Sequence, residues 1–211
     1  MTPIIGITAD RHESRIQVAQ KYATCVTKAG GLPIILPPFS GQEGAILELC
    51  DGFVFTGGDD PVMEQWGIET LQSATPCDGE RQQFEISLLE HLANLPDTPV
   101  LGVCLGMQWM GILAGGTLKQ ELEPQFASNH RSGNHWVSGD LGDAIVHTSH
   151  HQAMSDAGSL AVIALANDGI IEAVRDLDRH WYVGVQWHPE RTDDASLGQG
   201  MFDQLCVAAT T

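Results

Sequence analysis

Short apolar runs alternate with helical patterns along the first half of the chain. Four runs lack an alternating polar face and predict buried strands, over residues 3–8, 32–36, 52–56 and 99–103. Between the runs, apolar residues recur at helical spacing and predict helices over 14–29, 42–50 and 80–95, and a fourth helix that begins at Cys104 and ends at Gly115-Gly116. Ser14 is the expected cap of the first helix, with Ile16 on its apolar face.

The second half of the chain has a different texture, with shorter apolar runs and one final helix. Strands are predicted near Trp136 and over 144–148, 160–166, 170–175 and 182–186, and the last helix over 195–208. Strands that alternate with helices indicate a parallel sheet. We therefore expect a single domain over residues 1–211 with a three-layer α/β architecture, in which an open, mostly parallel sheet has helices on both faces and added antiparallel strands.

The composition is that of a globular and strongly acidic protein. With 27 acidic and 10 basic residues the formal net charge is −17, which argues against a nucleic-acid partner or an anionic membrane surface. No apolar stretch is long enough to predict a membrane span. The five cysteines form no CxxC pair and are odd in number, so we expect reduced thiols and a cytoplasmic location.

The first candidate for chemistry is the turn at residues 102–106, GVCLG, where a buried strand is predicted to meet a helix. This Gly-x-nucleophile-x-Gly spacing is typical of a nucleophile elbow, here with Cys104 in place of serine. The start of a helix favours a thiolate, and the Leu105 N–H is free to bind a developing oxyanion. A small buried cysteine in a tight turn explains the same residues, and the local pattern does not separate the two interpretations.

A base for such a thiol is predicted at His188, where an apolar strand continues into His188-Pro189-Glu190. Residues i and i+2 of an extended segment point to the same side, and Pro189 favours extended backbone at His188. Glu190 can therefore hold one imidazole nitrogen while the other takes the proton of a thiol. Alone, this tripeptide also fits a surface turn, but together with the elbow it indicates a Cys-His-Glu triad.

Six motifs, in order, resemble class I glutamine amidotransferases. They are 56–59 (TGGD), 99–108 (PVLGVCLGMQ), 115–117 (GGT), 149–152 (SHHQ), 168–173 (DGIIEA) and 184–190 (GVQWHPE). Among these proteins the chain is most similar to the γ-glutamyl hydrolase branch, of peptidase C26 type, which includes γ-glutamyl-γ-aminobutyrate hydrolase. The resemblance covers nearly the whole chain and implies a flavodoxin-like fold of the class I glutamine amidotransferase type.

The resemblance implies a chemical role for each matching residue. Cys104 attacks the γ-carboxamide carbon of a glutamine-like side chain and forms a γ-glutamyl thioester, which water hydrolyses. His188 acts as general base and then as general acid, and Glu190 orients its ring. The backbone N–H groups of Gly58 and Leu105 form the oxyanion hole. A Gly-Gly pair after a strand independently permits such a close approach to a ligand.

The resemblance also implies a glutamyl pocket, formed by the elbow helix, the Gly-Gly turn and the SHHQ segment and containing Gln108, Gly57, Ser149, His150 and His151. No cofactor is implied. His147 with His150 and His151 would also suggest a metal site, but these histidines fall in a motif that uses no metal in the family, so none is expected. His130 and His135 are expected in a loop or on the surface, and Glu172 as a structural partner beside the site.

Two departures from the family pattern leave the identity of the amine that is released undetermined. Leu105 stands where the hydrolase group often carries arginine, and Met110-Gly111 stands in place of Asn-Val. The first hypothesis is a stand-alone hydrolase with a small-molecule γ-glutamyl substrate, alone or as a homodimer. The second is a glutaminase subunit that delivers ammonia to a separate synthetase partner. The third, a non-catalytic redox sensor that uses Cys104, has no need of the His188–Glu190 pair.

Overall fold

The first half of the chain forms the parallel part of a large sheet and most of its covering helices. The computed structural model describes residues 1–211. The elements of this half are β1 (Ile4–Thr8), β2 (Asp10–His12), β3 (Arg15–Gln17), α1 (Gln20–Lys28), β4 (Leu32–Leu36), α2 (Glu43–Leu49), β5 (Gly52–Phe55), α3 (Gly79–Leu92), β6 (Val100–Val103) and α4 (Leu105–Leu113).

The second half adds mainly short strands. Its elements are β7 (Thr117–Lys119), α5 (Pro124–His130), β8 (Gly133–Gly139), β9 (Ala144–Thr148), β10 (Ala153–Asp156), β11 (Ala161–Ala166), β12 (Ile171–Arg175), β13 (Tyr182–Val185) and α6 (Gln199–Ala208). Single 3₁₀ turns occur at Met63–Trp66 and Pro189–Arg191. The sequence does not predict β7, β10 or α5, although proline at the first turn of α5 is a favourable start for a helix.

Nine strands form one sheet in the order β4–β1–β5–β6–β13–β12–β11–β8–β9. The first five strands run parallel to one another. Each of the remaining four is antiparallel to its neighbours. The predicted combination of a mostly parallel sheet with added antiparallel strands is therefore confirmed.

Helices cover both faces of this sheet, because successive residues of the buried strands point to opposite sides. In β5, Phe53 and Phe55 pack in one core cluster with Phe84 of α3, whereas Val54 packs in the other with Val26 of α1. All five side chains are fully buried. The three-layer architecture is thus confirmed. None of the helices combines the length and the apolar character needed to cross a membrane.

The first helix begins later than its pattern predicts, and the prediction of a cap at Ser14 is wrong. Residues 10–17 form the β2–β3 hairpin instead, and α1 begins at Gln20. At the turn of this hairpin, Glu13 has a φ of 54°, which reverses the chain and is incompatible with a right-handed helix. Ile16 is 42% exposed, so its helical spacing relative to later apolar residues is a coincidence.

Three strands of the parallel part bring distant motifs to one edge of the sheet. β5, β6 and β13 are neighbours, and their carboxyl ends lie side by side. Gly57-Gly58 follows β5, Cys104 follows β6, and His188 follows β13. In open α/β sheets this edge is where ligands bind. The fold therefore assembles the predicted nucleophile, base and Gly-Gly turn at one place.

Candidate active site

Cys104 sits at a sharp turn between β6 and α4. Its φ and ψ are 51° and −100°, a strained conformation for a residue with a side chain, and the residue is 5% exposed. The flanking glycines are required by close packing rather than by their own φ. A Cβ on Gly102 would lie 2.3 Å from Met110 Sδ, and one on Gly106 would lie 2.4 Å from the carbonyl oxygen of Phe55.

His188 lies next to Cys104, because a Cβ on Gly57 would lie 2.8 Å from His188 Cε1 and 3.4 Å from Cys104 Cβ, and its ring is held from the other side by Glu190. Its Nδ1 is 2.9 Å from Glu190 Oε1, and Arg191 Nε lies 3.1 Å from the same oxygen. Burial alone would lower the pKa of His188, but hydrogen bonds to Cys104 and Glu190, with the charge of these partners, raise it to about 9. Burial would raise the pKa of Glu190, yet the hydrogen bond from His188 holds it below its ordinary value. Both partners therefore favour the protonated ring.

Gln186 is a polar neighbour of the thiol that sequence reasoning missed. Its Nε2 lies 3.4 Å from Cys104 Sγ, and its Oε1 accepts a hydrogen bond from Gln108 Nε2 at 3.4 Å. Gln108 therefore reaches the thiol through Gln186. The i, i+2 rule that pairs His188 with Glu190 also places Gln186 on that side, so the signal was available.

The turn after β5 is held in one orientation by two side chains. The Gly57 N–H donates to the Tyr22 hydroxyl at 3.1 Å, and Arg81 Nη2 donates to the carbonyl oxygens of Thr56 at 3.0 Å and Gly57 at 3.2 Å. The C=O and N–H of a trans peptide point in opposite directions, so the Gly58 N–H is directed away from Arg81. A Cβ on Gly58 would lie 2.2 Å from Arg81 Nη1, so only glycine fits.

The second expected oxyanion donor belongs to the start of α4. Leu105 is the first residue of this helix, and the N–H groups of a first helical turn have no intrahelical acceptor. The first bond of the turn runs from the Gln108 N–H to the Cys104 carbonyl oxygen at 3.1 Å. Gly58 and Cys104 line the same cavity, so both candidate donors flank the thiol.

Two adjoining cavities meet at this point and share Gly58 and Ser149 as lining residues. The smaller, of about 240 Å³, reaches Cys104. The larger, of about 500 Å³, reaches His188 and Tyr22. The thiol and the imidazole thus face different cavities, which we call the thiol cavity and the imidazole cavity.

The thiol cavity carries more acidic than basic groups. Burial, and the neighbouring charges of Asp10 and Asp60, raise the pKa of Asp59. His151 lies between two carboxylates, 2.9 Å from Asp60 Oδ2 and 3.0 Å from Glu121 Oε2. The hydrogen bond to Asp60 is the main cause of a raised pKa of His151, which outweighs its burial. This lining suits a ligand that carries a cationic group.

The histidines considered as metal ligands are not brought together. His147 lies beside His188, with ring centroids 6.3 Å apart, whereas the ring of His150 points to Glu172 Oε1 at 3.4 Å. The expectation that His130 lies in a loop or on the surface is wrong. His130 ends α5, a helix that the sequence did not predict, and it is fully buried.

Comparisons with known proteins match almost the full length of the chain. The sequence profile of the peptidase C26 family matches residues 3–190. Protein NtpR of Enterococcus hirae is 31% identical over 96% of this chain and 98% of its own. A γ-glutamyl-γ-aminobutyrate hydrolase of Escherichia coli O157:H7 is 26% identical over 98% of this chain and 93% of its own. The crystal structure of a glutamine amidotransferase from Thermotoga maritima has the same fold, with a TM-score of 0.63 at 15% identity over 90% of this chain and 76% of the other.

Proposed function

Because this chain belongs to the peptidase C26 family, we propose that it hydrolyses γ-glutamyl amides with Cys104 as nucleophile, His188 as the proton-transfer group and Glu190 as the orienting carboxylate. The observation that carries the proposal is the position of the thiol and the imidazole. A Cβ on Gly57 would lie 2.8 Å from His188 Cε1 and 3.4 Å from Cys104 Cβ, so the two residues are neighbours, and they line adjoining cavities. An acyl group and its leaving amine therefore have separate places on the two sides of the reacting bond.

Acylation begins with the γ-carbonyl carbon of the substrate beside Cys104. The thiolate adds to this carbon, and the oxygen becomes an oxyanion that the Gly58 and Leu105 N–H groups stabilise. The C–N bond then breaks, and the proton held by His188 passes to the leaving nitrogen. A pKa of about 9 keeps this proton on the ring at neutral pH, where the leaving group needs it.

Deacylation uses the same groups in the reverse sense. His188, now neutral, takes a proton from water as the water oxygen attacks the thioester carbon. The second tetrahedral intermediate expels the Cys104 thiolate, and glutamate leaves the thiol cavity. Glu190 stabilises the imidazolium that forms in this step and holds the ring in its working orientation.

The charges of the thiol cavity support a glutamyl group as the part bound there. A γ-glutamyl substrate carries an α-ammonium group, and Asp59 and Asp60 line this cavity. Gln108, Ser149, His150 and His151 line it as well, and we assign them to binding of the glutamyl part, with His150 acting through its backbone because both of its ring nitrogens face other groups. The Gly57 N–H is already bonded to Tyr22, so Gly57 contributes shape rather than a hydrogen bond.

The size of the imidazole cavity favours a leaving amine larger than ammonia. Its volume of about 500 Å³ is about twice that of the thiol cavity, and its lining includes Asp10 and Arg191. The competing function, a glutaminase subunit of an amidotransferase, is favoured by Leu105, since leucine after the nucleophile is common in biosynthetic amidotransferases. A glutaminase has no need of a second large cavity, so we prefer the hydrolase.

Mass spectrometry of quenched reactions tests the chemistry. With glutamine or a γ-glutamyl anilide we expect a glutamyl adduct on Cys104, and loss of both adduct and turnover in Cys104→Ala. Cys25→Ala is the matched control, because this thiol is partly accessible and lies outside the two cavities. Unchanged turnover in Cys104→Ala, with no adduct in the wild type, would remove Cys104 from the reaction.

A substrate panel separates the two functions. It compares glutamine with γ-glutamyl amides of a diamine, of an amino acid and of an uncharged alkylamine. The hydrolase predicts higher kcat/KM for at least one larger amine than for glutamine. Preference for glutamine over the whole panel would instead support the glutaminase subunit.

A further inference from the structure

Behind the thiol cavity, four side chains from separate elements converge on one buried point. They are His130 at the end of α5, His135 in β8, His150 after β9 and Glu172 in β12, and we call them the histidine–glutamate cluster. Glu172 Oε1 lies 3.2 Å from His130 Nδ1 and 3.4 Å from both His135 Nε2 and His150 Nε2. His130 Nδ1 and His150 Nε2 are 3.2 Å apart.

The outer nitrogen of each ring already has an acceptor outside the cluster. His130 Nε2 lies 3.0 Å from Asp168 Oδ2, His150 Nδ1 2.9 Å from the Gln152 carbonyl oxygen, and His135 Nδ1 3.4 Å from the Asn129 carbonyl oxygen. Acceptors of this kind hold the ring proton on the outer nitrogen. The inner nitrogen of each ring, which faces the common point, is then the one available to a metal ion.

Glu172 is fully buried, and neither of its oxygens has a hydrogen-bond donor. The three ring nitrogens lie 3.2 to 3.4 Å from Oε1, and His135 Nε2 is also unpartnered. A buried carboxylate without donors is strongly unfavourable unless a cation compensates it. The cluster therefore directs one carboxylate oxygen and three ring nitrogens to a common point.

We propose that the histidine–glutamate cluster binds one divalent transition-metal ion, with Zn²⁺ as the first candidate. Ligands about 2.0–2.1 Å from a tetrahedral zinc lie about 3.3 Å from one another. The four separations given above are 3.2 to 3.4 Å, and the donor atoms of His130, His135 and Glu172 all lie within 4.8 Å of one another. Imidazole nitrogens with one carboxylate oxygen form a donor set that suits zinc and its neighbours in the first transition row.

Such an ion has a structural role, because four protein ligands close its coordination sphere. His150 belongs to the segment that lines the thiol cavity with Ser149, His151 and Gln152. The metal would tie this segment to α5, β8 and β12. A surface cavity of about 170 Å³, lined by His130, His135 and Asp168 among others, gives the ion a route to the site.

Metal content of the full chain tests the proposal without any enzyme assay. The wild type is stripped with a chelator, dialysed against Zn²⁺ at neutral pH and analysed for bound zinc, with melting temperature measured in parallel. We expect one zinc per chain and a higher melting temperature with zinc, because an ion that binds only the folded state stabilises it. Glu172→Gln and His135→Gln should lose stoichiometric zinc, whereas His180→Gln, at an exposed histidine outside the cluster, should retain it.

Asp168→Asn provides a milder variant in case removal of a ligand prevents folding. It removes the charge of a group that orients His130, so the zinc dissociation constant should rise by about 10–100-fold. Three outcomes would overturn the proposal. These are no stoichiometric zinc in the wild type, undiminished binding in both ligand variants or in Asp168→Asn, and equal loss in His180→Gln.

Discussion

Two buried assemblies of imidazole and carboxylate lie within this protein, and they are built in opposite ways. In the first, one ring faces one carboxylate, with His188 Nδ1 hydrogen-bonded to Glu190 at 2.9 Å. In the second, three rings surround Glu172 within 3.4 Å, yet none donates a hydrogen bond to it. The first borders the imidazole cavity, whereas the carboxylate at the centre of the second is fully buried.

The two assemblies differ in how the negative charge of the buried carboxylate is compensated. Glu190 is compensated by a proton on a neighbouring ring, and that ring lies next to Cys104. This arrangement can move a proton. Glu172 has no hydrogen-bond partner for either oxygen, and in the proposed metal site its charge is compensated by a cation that it shares with three rings. The same residue types thus support proton transfer in one place and ligand binding in the other.

The largest effects on turnover and on zinc content are expected when one histidine of each assembly is replaced by glutamine. His188→Gln should lower kcat by about 10²–10⁴-fold, the usual contribution of a positioned acid–base group, and should leave zinc content unchanged. His135→Gln should do the reverse, with lost zinc and a far smaller effect on turnover. Steady-state kinetics and metal analysis on the same preparations measure both.

Two separate roles are supported only if His188→Gln loses turnover and keeps zinc while His135→Gln loses zinc and largely keeps turnover. If both variants lost turnover and zinc together, the two assemblies would be one functional unit. If His188→Gln kept wild-type turnover, the proton-transfer role of this ring would be wrong, whatever the metal content.

Glu190→Gln should have the next largest effect, a loss of kcat on the order of 10²-fold with a changed pH profile. Burial lowers the pKa of His188, and the partners Cys104 and Glu190 raise it to about 9. Loss of the carboxylate charge removes part of this rise, so the alkaline limb of the acylation rate should move to lower pH. Single-turnover rates measured across the pH range check this. Glu172→Gln is the control, and the alkaline limb of its acylation rate should not move.

The same pair makes stability depend on pH at both ends. The contribution of His188 to the free energy of unfolding is fully present below its unfolded pKa of about 6.5. It is lost as pH rises through the folded pKa of about 9. The Glu190 pKa is lowered, so its contribution is present above the unfolded value and is lost as pH falls through the folded one. Denaturant unfolding should show an earlier alkaline loss in Glu190→Gln than in the wild type. Identical dependence of stability on pH in the two proteins would contradict the coupling between His188 and Glu190.

The candidate site could be predicted where its residues are close in sequence. The elbow lies within residues 102–106, and His188 with Glu190 needs only the alternation of an extended segment. Their approach to one another required the order of parallel strands, which the motif order of a family implies. The histidine–glutamate cluster could not be predicted in this way, because its members come from four elements with no common period.

The fold shows the same division. The buried parallel strands could be predicted from continuous apolar runs, which few other structures produce. The β2–β3 hairpin could not, because Ile16 is in phase with the helix that follows and the reversal depends on a positive φ at Glu13, a residue with no strong preference for it. The unpredicted helix α5 has the largest consequence for the cluster. Its last residue, His130, is expected at the surface from the sequence but is fully buried in the fold.

Gly57→Ala should have the smallest effect on turnover, a loss of about tenfold, and it acts on geometry alone. A Cβ at this position would lie 2.8 Å from His188 Cε1 and 3.4 Å from Cys104 Cβ. Gly57 has no positive φ, so alanine strains the ring contact and not the backbone. The imidazole then has to shift by a few tenths of an ångström from its position beside Cys104, and a displacement of about 1 Å can cost about 10²-fold.

Gly44→Ala is the matched control for this change. Gly44 lies in α2, also without a positive φ, and a Cβ there would meet nothing within 4 Å. Alanine should therefore stabilise the helix by up to about 1 kcal/mol and leave the acylation rate unchanged. Gly57→Ala changes no titratable group, so a lower rate with unchanged zinc content would assign the loss to the distance between thiol and ring. A rate equal to that of Gly44→Ala would mean that acylation does not depend on His188 lying where it contacts Gly57.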